Sequence, residues 1–215
     1  MRVDHPCAMY IHCLSHKLNL VLVNSCSVNR TAVGFFNTTD ELFKYFSKPR
    51  AHDVFLNTQK LLGIRSRESV QQSDTHWACR WNIVLAVKTQ YSAIVTSLDT
   101  LSDSAESRAV EAAGIAKHMK TAEFAVCLAM FEDLLLTIYV VHKALQGREM
   151  TLGDASNLTE KLQCNFAKQR CVESWLSLRS RAEEFFAEND VRAFQSSGHC
   201  TVGSTARNVK TPLTM

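Results

Sequence analysis

The stretch FAVCLAMFEDLLLTIYVV, residues 124–141, decides the fold of this chain. It is apolar over almost its whole length, except that Glu132 and Asp133 stand side by side near its centre. The length raises the question of a membrane span, but each charge would cost roughly 2.5 to 3.5 kcal/mol at the centre of a bilayer. We therefore expect a buried helix at the centre of a mainly α-helical domain, and no membrane partner.

The composition favours a helical globular protein. The chain has 215 residues, of which 46% are hydrophobic, with only 7 glycines and 3 prolines, and such a composition argues against both β-rich and disordered chains. The formal net charge of +3 neither demands nor excludes a nucleic-acid partner. The 8 cysteines are irregularly spaced without any Cys-x-x-Cys motif, which indicates reduced thiols, as in the cytosol or the nucleus.

Periodic apolar residues predict further helices along the chain. A short strand at residues 7–11 is expected to precede a helix that begins near Cys13. Further helices are predicted over residues 39–46, 50–62, 77–101, 105–119, 124–145 and from about 154 to 186. Pro49 and Gly63 are expected to end the first two of these, and Leu61 and Leu62 are expected to face inward.

Two pairs of side chains could carry chemistry, but a structural role is expected for both. Glu132 and Asp133 are adjacent and point about 100° apart on a helix, so that they could not easily share a proton or a metal ion. One of them is expected to face solvent and the other to form a salt bridge. Cys164 and Cys171 share a face of the last predicted helix and are expected to be buried and unreactive.

Two short motifs carry the strongest family signal. Residues 10–22 read YIHCLSHKLNLVL, and residues 73–80 read SDTHWACR. The first resembles the Cys-x-x-His block of hAT-superfamily DNA transposases, and the second is similar to the Thr-Arg-Trp block that follows it in that family. The resemblance is to the transposase-derived part of the zinc finger MYM-type proteins, and it runs from about Met9 to about Asp190.

The resemblance implies a domain organisation. Residues 1–28 would be a remnant of an RNase H-like core, residues 29–192 an all-helical insertion domain, and residues 193–215 a disordered tail. Catalysis in the family needs three acidic residues on the RNase H-like core, where they hold metal ions. Asp4 is the only acid before Cys13, and no glutamate follows residue 193. We therefore expect a transposase relic that is not an enzyme and that has no cofactor and no metal site.

The resemblance also singles out a set of motif residues: Cys13, His16, Asn19, Thr75, Trp77 and Arg80. Cys13 and His16 lie three residues apart and hence on one helix face, but a zinc site needs four ligands and no distal pair completes one. The resemblance implies instead that this pair shapes the active site. Asn19 would either orient that site or face solvent.

The tryptophan of the second motif has two possible roles. In the family it is thought to stack near the cleaved DNA end. Trp81 follows Trp77 by four residues, however, and two tryptophans at this spacing favour packing in a core. His76 stands where the family has an arginine, which weakens the case for a phosphate contact there. Core packing is the favoured role for Trp77.

Together these observations predict an inactive, transposase-derived nuclear protein that acts through protein interaction or weak DNA binding. An exposed apolar face on the helix of residues 14–23 would bind a partner protein or a second copy of the chain. One alternative is a fragment of a longer hAT-type transposase, an enzyme whose catalytic acids lie outside this chain. Another is a fragment that does not fold stably by itself.

Overall fold

The computed structural model describes residues 13–64, 77–105 and 107–189, together with the side chains of these residues except 77–79. All regular secondary structure in this part is helical, which confirms the mainly α prediction. The helices are α1 (Leu14–Ser27), α2 (Arg30–Phe46), α3 (Pro49–Leu61), α4 (Trp77–Thr89), α5 (Tyr91–Ser102), α6 (Ala109–Met119), α7 (Ala122–Leu145), α8 (Leu152–Lys168) and α9 (Val172–Glu188). The predicted strand at residues 7–11 and the tail from residue 193 lie outside the described residues.

Helix α7 is the centre of the fold, as its apolar run predicts. Thr121 caps its start by accepting a hydrogen bond from the backbone N–H of Phe124 at 3.2 Å, and His142 and Lys143 in its last turn complement the helix dipole. It packs mainly against α4 and α9, and also against α1, α2, α6 and α8. Burial of the apolar side chains of α7 against these neighbours is expected to contribute most of the stability of the fold.

The two acids at the centre of α7 are both paired. Lys88 of α4 donates to Glu132 at 2.6 Å, and Arg181 of α9 makes two hydrogen bonds to the carboxylate of Asp133. Glu132, whose side chain is 17% exposed, is the salt-bridged acid that the sequence predicts. Asp133, whose side chain is 45% exposed, is the surface-facing one, and it is paired as well. By length and composition α7 could also cross a membrane, but ion pairs to two flanking helices are typical of a core helix.

Helix α2 begins earlier than predicted and brings an aromatic cluster against α7. Asn29 caps it by accepting from the backbone N–H of Ala32 at 3.0 Å. Phe35 and Phe36 then lie with their ring centroids 5.1 and 4.6 Å from that of Phe131. Ring pairs at these separations add to the stabilisation that burial provides.

Helix α3 has the predicted ends but a different inner face. Pro49 occupies its first turn after α2 ends, and Gly63 follows its end with a φ of +64°, a left-handed conformation that glycine adopts without strain. Leu61 is 86% exposed and Leu62 is also exposed, so the prediction that they face inward was wrong. The buried residues are spaced by four, seven and eight positions from Ala51, and Leu61 lies about 100° around the helix from the middle of that stripe.

Two helices that periodicity predicts as continuous are each broken. The run from 77 to 101 divides at Gln90, whose backbone leaves helical geometry and whose buried side chain accepts a 2.7 Å hydrogen bond from Gln59. The run from about 154 to 186 divides between α8 and α9, where Cys171 is extended. Neither break contains Gly or Pro, and so tertiary contacts have overridden local helical preference. Helix α6 likewise begins at Ala109, four residues after the predicted start.

We predict that the stability of the fold depends on the inner face of α7. Leu128 is 2% exposed, and Leu128→Ala should lower the free energy of unfolding by about 2 to 5 kcal/mol because it leaves a cavity in the core. Leu136 on the same helix is 43% exposed, and Leu136→Ala should cost about 0.5 kcal/mol or less. Urea denaturation of both variants measures the difference, and equal losses would contradict a central position of α7.

Candidate functional site

The largest of the described cavities is a groove of about 860 Å³ between α8 and α9. We call it the α8–α9 groove. Its floor is formed by Met130 and Leu134 of α7, and its walls carry Phe166 of α8 with Trp175 and Leu178 of α9. By contrast, an apolar cavity near Gln90 measures only about 40 Å³, too small for a metabolite or a peptide.

The groove exists because the chain turns between α8 and α9. A single helix over residues 154–186 would be about 50 Å long at 1.5 Å per residue, whereas α7 has 24 residues and spans about 36 Å. The turn returns α9 to α7, where Ala182 and Phe186 become buried. Most residues in the first half of α9 remain exposed.

Helix α9 therefore has an inner face and an exposed apolar ridge. Val172 is 68% exposed, Trp175 48% and Leu176 57%, and their spacing of three and four residues places them on neighbouring positions of one helix surface. Trp175 also lines the groove, whereas Val172 and Leu176 lie on the side of α9 that faces away from it. Large exposed apolar side chains beside an open groove are characteristic of interaction sites.

The polar groups of the groove are arranged around its edge. Arg181 binds both oxygens of Asp133, and this hydrogen bonding raises the pKa of Arg181. At the other end, hydrogen bonds from its own backbone N–H and from the Cys171 side chain lower the pKa of Glu173. Arg170 lies at the same end, and neither Arg170 nor Glu173 forms an ion pair with another described residue. An apolar floor inside a polar rim is the common anatomy of a protein–protein interface.

The first family motif forms the start of α1. Cys13 and His16 are exposed and Asn19 is half-buried. The buried residue of this turn is Ser15, whose hydroxyl lies 2.6 Å from Nδ1 of His142 and ties α1 to the end of α7. A serine beside a histidine can act as a nucleophile and its base, but Ser15 is too buried for a substrate to reach. Sequence reasoning missed this pair because its members are 127 positions apart.

Arg80 of the second motif contacts other helices of the fold. Its guanidinium lies 4.4 Å from the centroid of the Phe36 ring, where a cation and an aromatic face attract each other. It also lies near Cys26 at the end of α1, where burial raises the pKa of the thiol more than Arg80 lowers it. Arg80 thus joins α4 to α1 and α2.

The helices that carry the two motifs, α1 and α4, therefore contact each other, but the described motif residues do not form one cluster. Arg80 acts near Cys26, whereas His16 lies ten residues earlier and hence about 15 Å away along the axis of α1. Thr75 and the side chain of Trp77 lie outside the described residues, so the role predicted for Trp77 stays a prediction. Within the described ranges, no three His, Cys, Asp or Glu side chains group closely enough to hold a metal ion.

The exposure of the cysteines differs from the prediction. Cys164 and Cys171 lie on either side of the turn and both are exposed, so the prediction of two buried thiols on one helix face was wrong. Cys127 is the buried one among the described cysteines. Burial in α7 and the nearby Glu123 raise its pKa to about 12.

We predict that alkylation will separate these cysteines. At pH 8 the exposed Cys164 and Cys171 should react with iodoacetamide, whereas Cys127 should stay unmodified because it is inaccessible and its thiolate is scarce. Peptide mass spectrometry measures each site. Protein unfolded in urea is the control in which all thiols should react, and rapid native modification of Cys127 would contradict the packing of α7.

Comparison of the chain with family models, curated proteins and solved structures gives no match. The function proposed below therefore rests on the residues of this chain and on the resemblance of its two motifs.

Proposed function

We propose that this chain is a transposase-derived helical protein without catalytic activity, and that it acts in the nucleus by binding another protein through the α8–α9 groove. The observation that carries the proposal is the apolar groove in which Trp175 is half exposed. The resemblance to hAT transposases accounts for the proposed origin, with α1 from the RNase H-like core and the other helices from the insertion domain.

The shape of the groove favours an amphipathic helix as its occupant. Phe166 of α8 and residues of α9 flank a floor of Met130 and Leu134, and amphipathic helices bind apolar grooves by inserting apolar side chains spaced three, four and seven residues apart. Trp175 supplies the large aromatic anchor that commonly dominates binding energy at such interfaces. Ser174 and Ser177 at the edge can form hydrogen bonds with the ends of polar side chains of the partner.

The apolar face expected on α1 is a weaker candidate for the same function. Only part of the apolar stripe expected to be exposed on α1 is exposed: Val21 is, whereas Leu14, Leu18 and Leu22 are half-buried. Leu20 and Val23 beside it are also exposed. This face has no aromatic side chain and lines none of the described cavities. The groove therefore offers a partner more surface to bury.

Weak DNA binding is a second proposed function, and one observation favours it. In residues 13–64 lysines and arginines outnumber acids by six to three, and all six are exposed. They are Lys17, Arg30, Lys44, Lys48, Arg50 and Lys60. Such a surface can contact phosphates without reading sequence. The enzymatic alternative, a longer transposase whose acids lie outside this chain, would also bind DNA but would cleave it.

We predict that Trp175→Ala will abolish capture of nuclear partner proteins by the chain. Affinity purification from nuclear extract with quantitative mass spectrometry measures the loss, and binding of an identified partner to the pure chain should weaken by at least about tenfold. Leu61→Ala is the matched control, since Leu61 is exposed but lies outside the groove. Partners retained equally by both variants would exclude the groove as the binding site.

We also predict that the pure chain does not cleave DNA. Mixed with supercoiled plasmid and Mg²⁺ or Mn²⁺, it should bind weakly, lose this binding between about 50 and 200 mM salt as phosphate contacts are screened, and leave the plasmid intact. Lys44→Glu with Lys48→Glu should remove the binding, while Lys161→Glu with Lys168→Glu on α8 should not. Metal-dependent nicking by the pure chain would support the transposase alternative.

A further inference from the structure

We infer that the apolar cavity near Gln90 is a binding site for one buried water molecule, which links α2 to the junction between α4 and α5. The cavity is lined by residues of α2, α3, α4 and α5 together with Gln90. It shares no lining residue with the α8–α9 groove. The inference is therefore independent of the proposed function and stands or falls by itself.

The amide group of Gln90 supplies the first reason. Gln90 is only 3% exposed, and it lines the cavity. Its Oε1 accepts a hydrogen bond from Gln59 at 2.7 Å, whereas its Nε2 is buried without a hydrogen-bond acceptor among the described residues. A buried N–H group without a partner has lost its hydration and gained nothing in return. The site therefore favours a ligand that accepts a hydrogen bond.

Thr39 of α2 provides a second polar group in the lining of the cavity. It is 3% exposed, and its hydroxyl donates to the backbone carbonyl of Phe36 at 2.8 Å. The hydroxyl proton is thus in use, but the oxygen can still accept a hydrogen bond. A ligand that contacts both groups has to accept from the amide of Gln90 and donate to the hydroxyl of Thr39, and water does both.

The size of the cavity selects water among ligands with these properties. Its volume is about 40 Å³, whereas one water needs roughly 10 to 15 Å³ and benzene occupies an engineered cavity of about 150 Å³. The other side chains of the lining are apolar, among them Phe46, Phe55 and Val87, so a second water would find no side-chain hydrogen-bond partner. One water with two protein partners therefore fits the site.

The water completes a set of hydrogen bonds at the break between α4 and α5. Gln90 has the non-helical backbone that separates these two helices, and Gln59 connects its side chain to α3. Through Thr39 the water adds α2 to this connection. The break is then held by side chains from two other helices rather than by Gly or Pro, which are absent from it.

NOE and ROE spectroscopy between water and the isotope-labelled full chain tests the inference. In the wild type we expect cross-peaks between water and the side-chain amide protons of Gln90, with opposite signs in the two spectra. Opposite signs distinguish a long-lived bound water from proton exchange. Gln169, whose side chain is exposed, should show no such cross-peaks. Their absence at Gln90 in the folded wild type would overturn the inference.

Two threonine variants of α2 give a matched comparison. Thr39→Val removes the hydroxyl that holds the water, and the cross-peaks of Gln90 should be lost. Thr38→Val changes the neighbouring buried threonine, which also donates within α2, to Gly34 at 3.0 Å, but does not line the cavity. It should keep the cross-peaks. Amide spectra of both variants establish that they are folded, and equal retention or equal loss of the cross-peaks in the folded variants would contradict the assigned role of Thr39.

Xenon distinguishes an occupied cavity from a dry one without any substitution. Dry apolar cavities bind xenon, and binding here would shift the methyl signals of Ile83 and Ile94, which line the cavity. We expect moderate xenon pressure to leave these signals unchanged in the wild type because the water occupies the site. Shifts of both methyl signals in the wild type would show a dry cavity and overturn the inference.

Discussion

Burial of α7 is the constraint on which the other helices depend. Its apolar run cannot remain in water, and the chain supplies α4 and α9 as its closest neighbours, with α1, α2, α6 and α8 around them. The two acids at its centre pair with Lys88 of α4 and Arg181 of α9. Because these pairs are partly exposed to solvent, they add little to the stabilisation that apolar burial gives to the packing of α4 and α9 on α7.

The same constraint creates the groove. Helix α9 has to return along α7 to bury Ala182 and Phe186, and the turn that allows the return separates it from α8. In the first half of α9, Trp175 and Leu176 remain in contact with water. A groove of this kind is a by-product of covering one long apolar helix with shorter ones.

The described residues of the two sequence motifs take part in this packing. Arg80 lies on Phe36 near Cys26, and Ser15 joins the start of α1 to His142 at the end of α7. These contacts tie both ends of α1 to the helical domain. A helix that the resemblance assigns to an RNase H-like core is thus held by the insertion-like helices themselves, which gives the proposed relic a reason to remain folded.

The sequence by itself determined the helical class, the central place of residues 124–141, the ends of α3 at Pro49 and Gly63, and the pairing of at least one central acid. These features follow from composition, periodicity and backbone restrictions that act locally. It could not reveal the breaks at Gln90 and Cys171 or the outward side of Leu61, and it gave no sign of the groove beside Trp175. These features depend on which helix covers which face of α7. Side chains that are far apart in the sequence are alternatives for the same core positions, and only the tertiary structure decides which of them become buried.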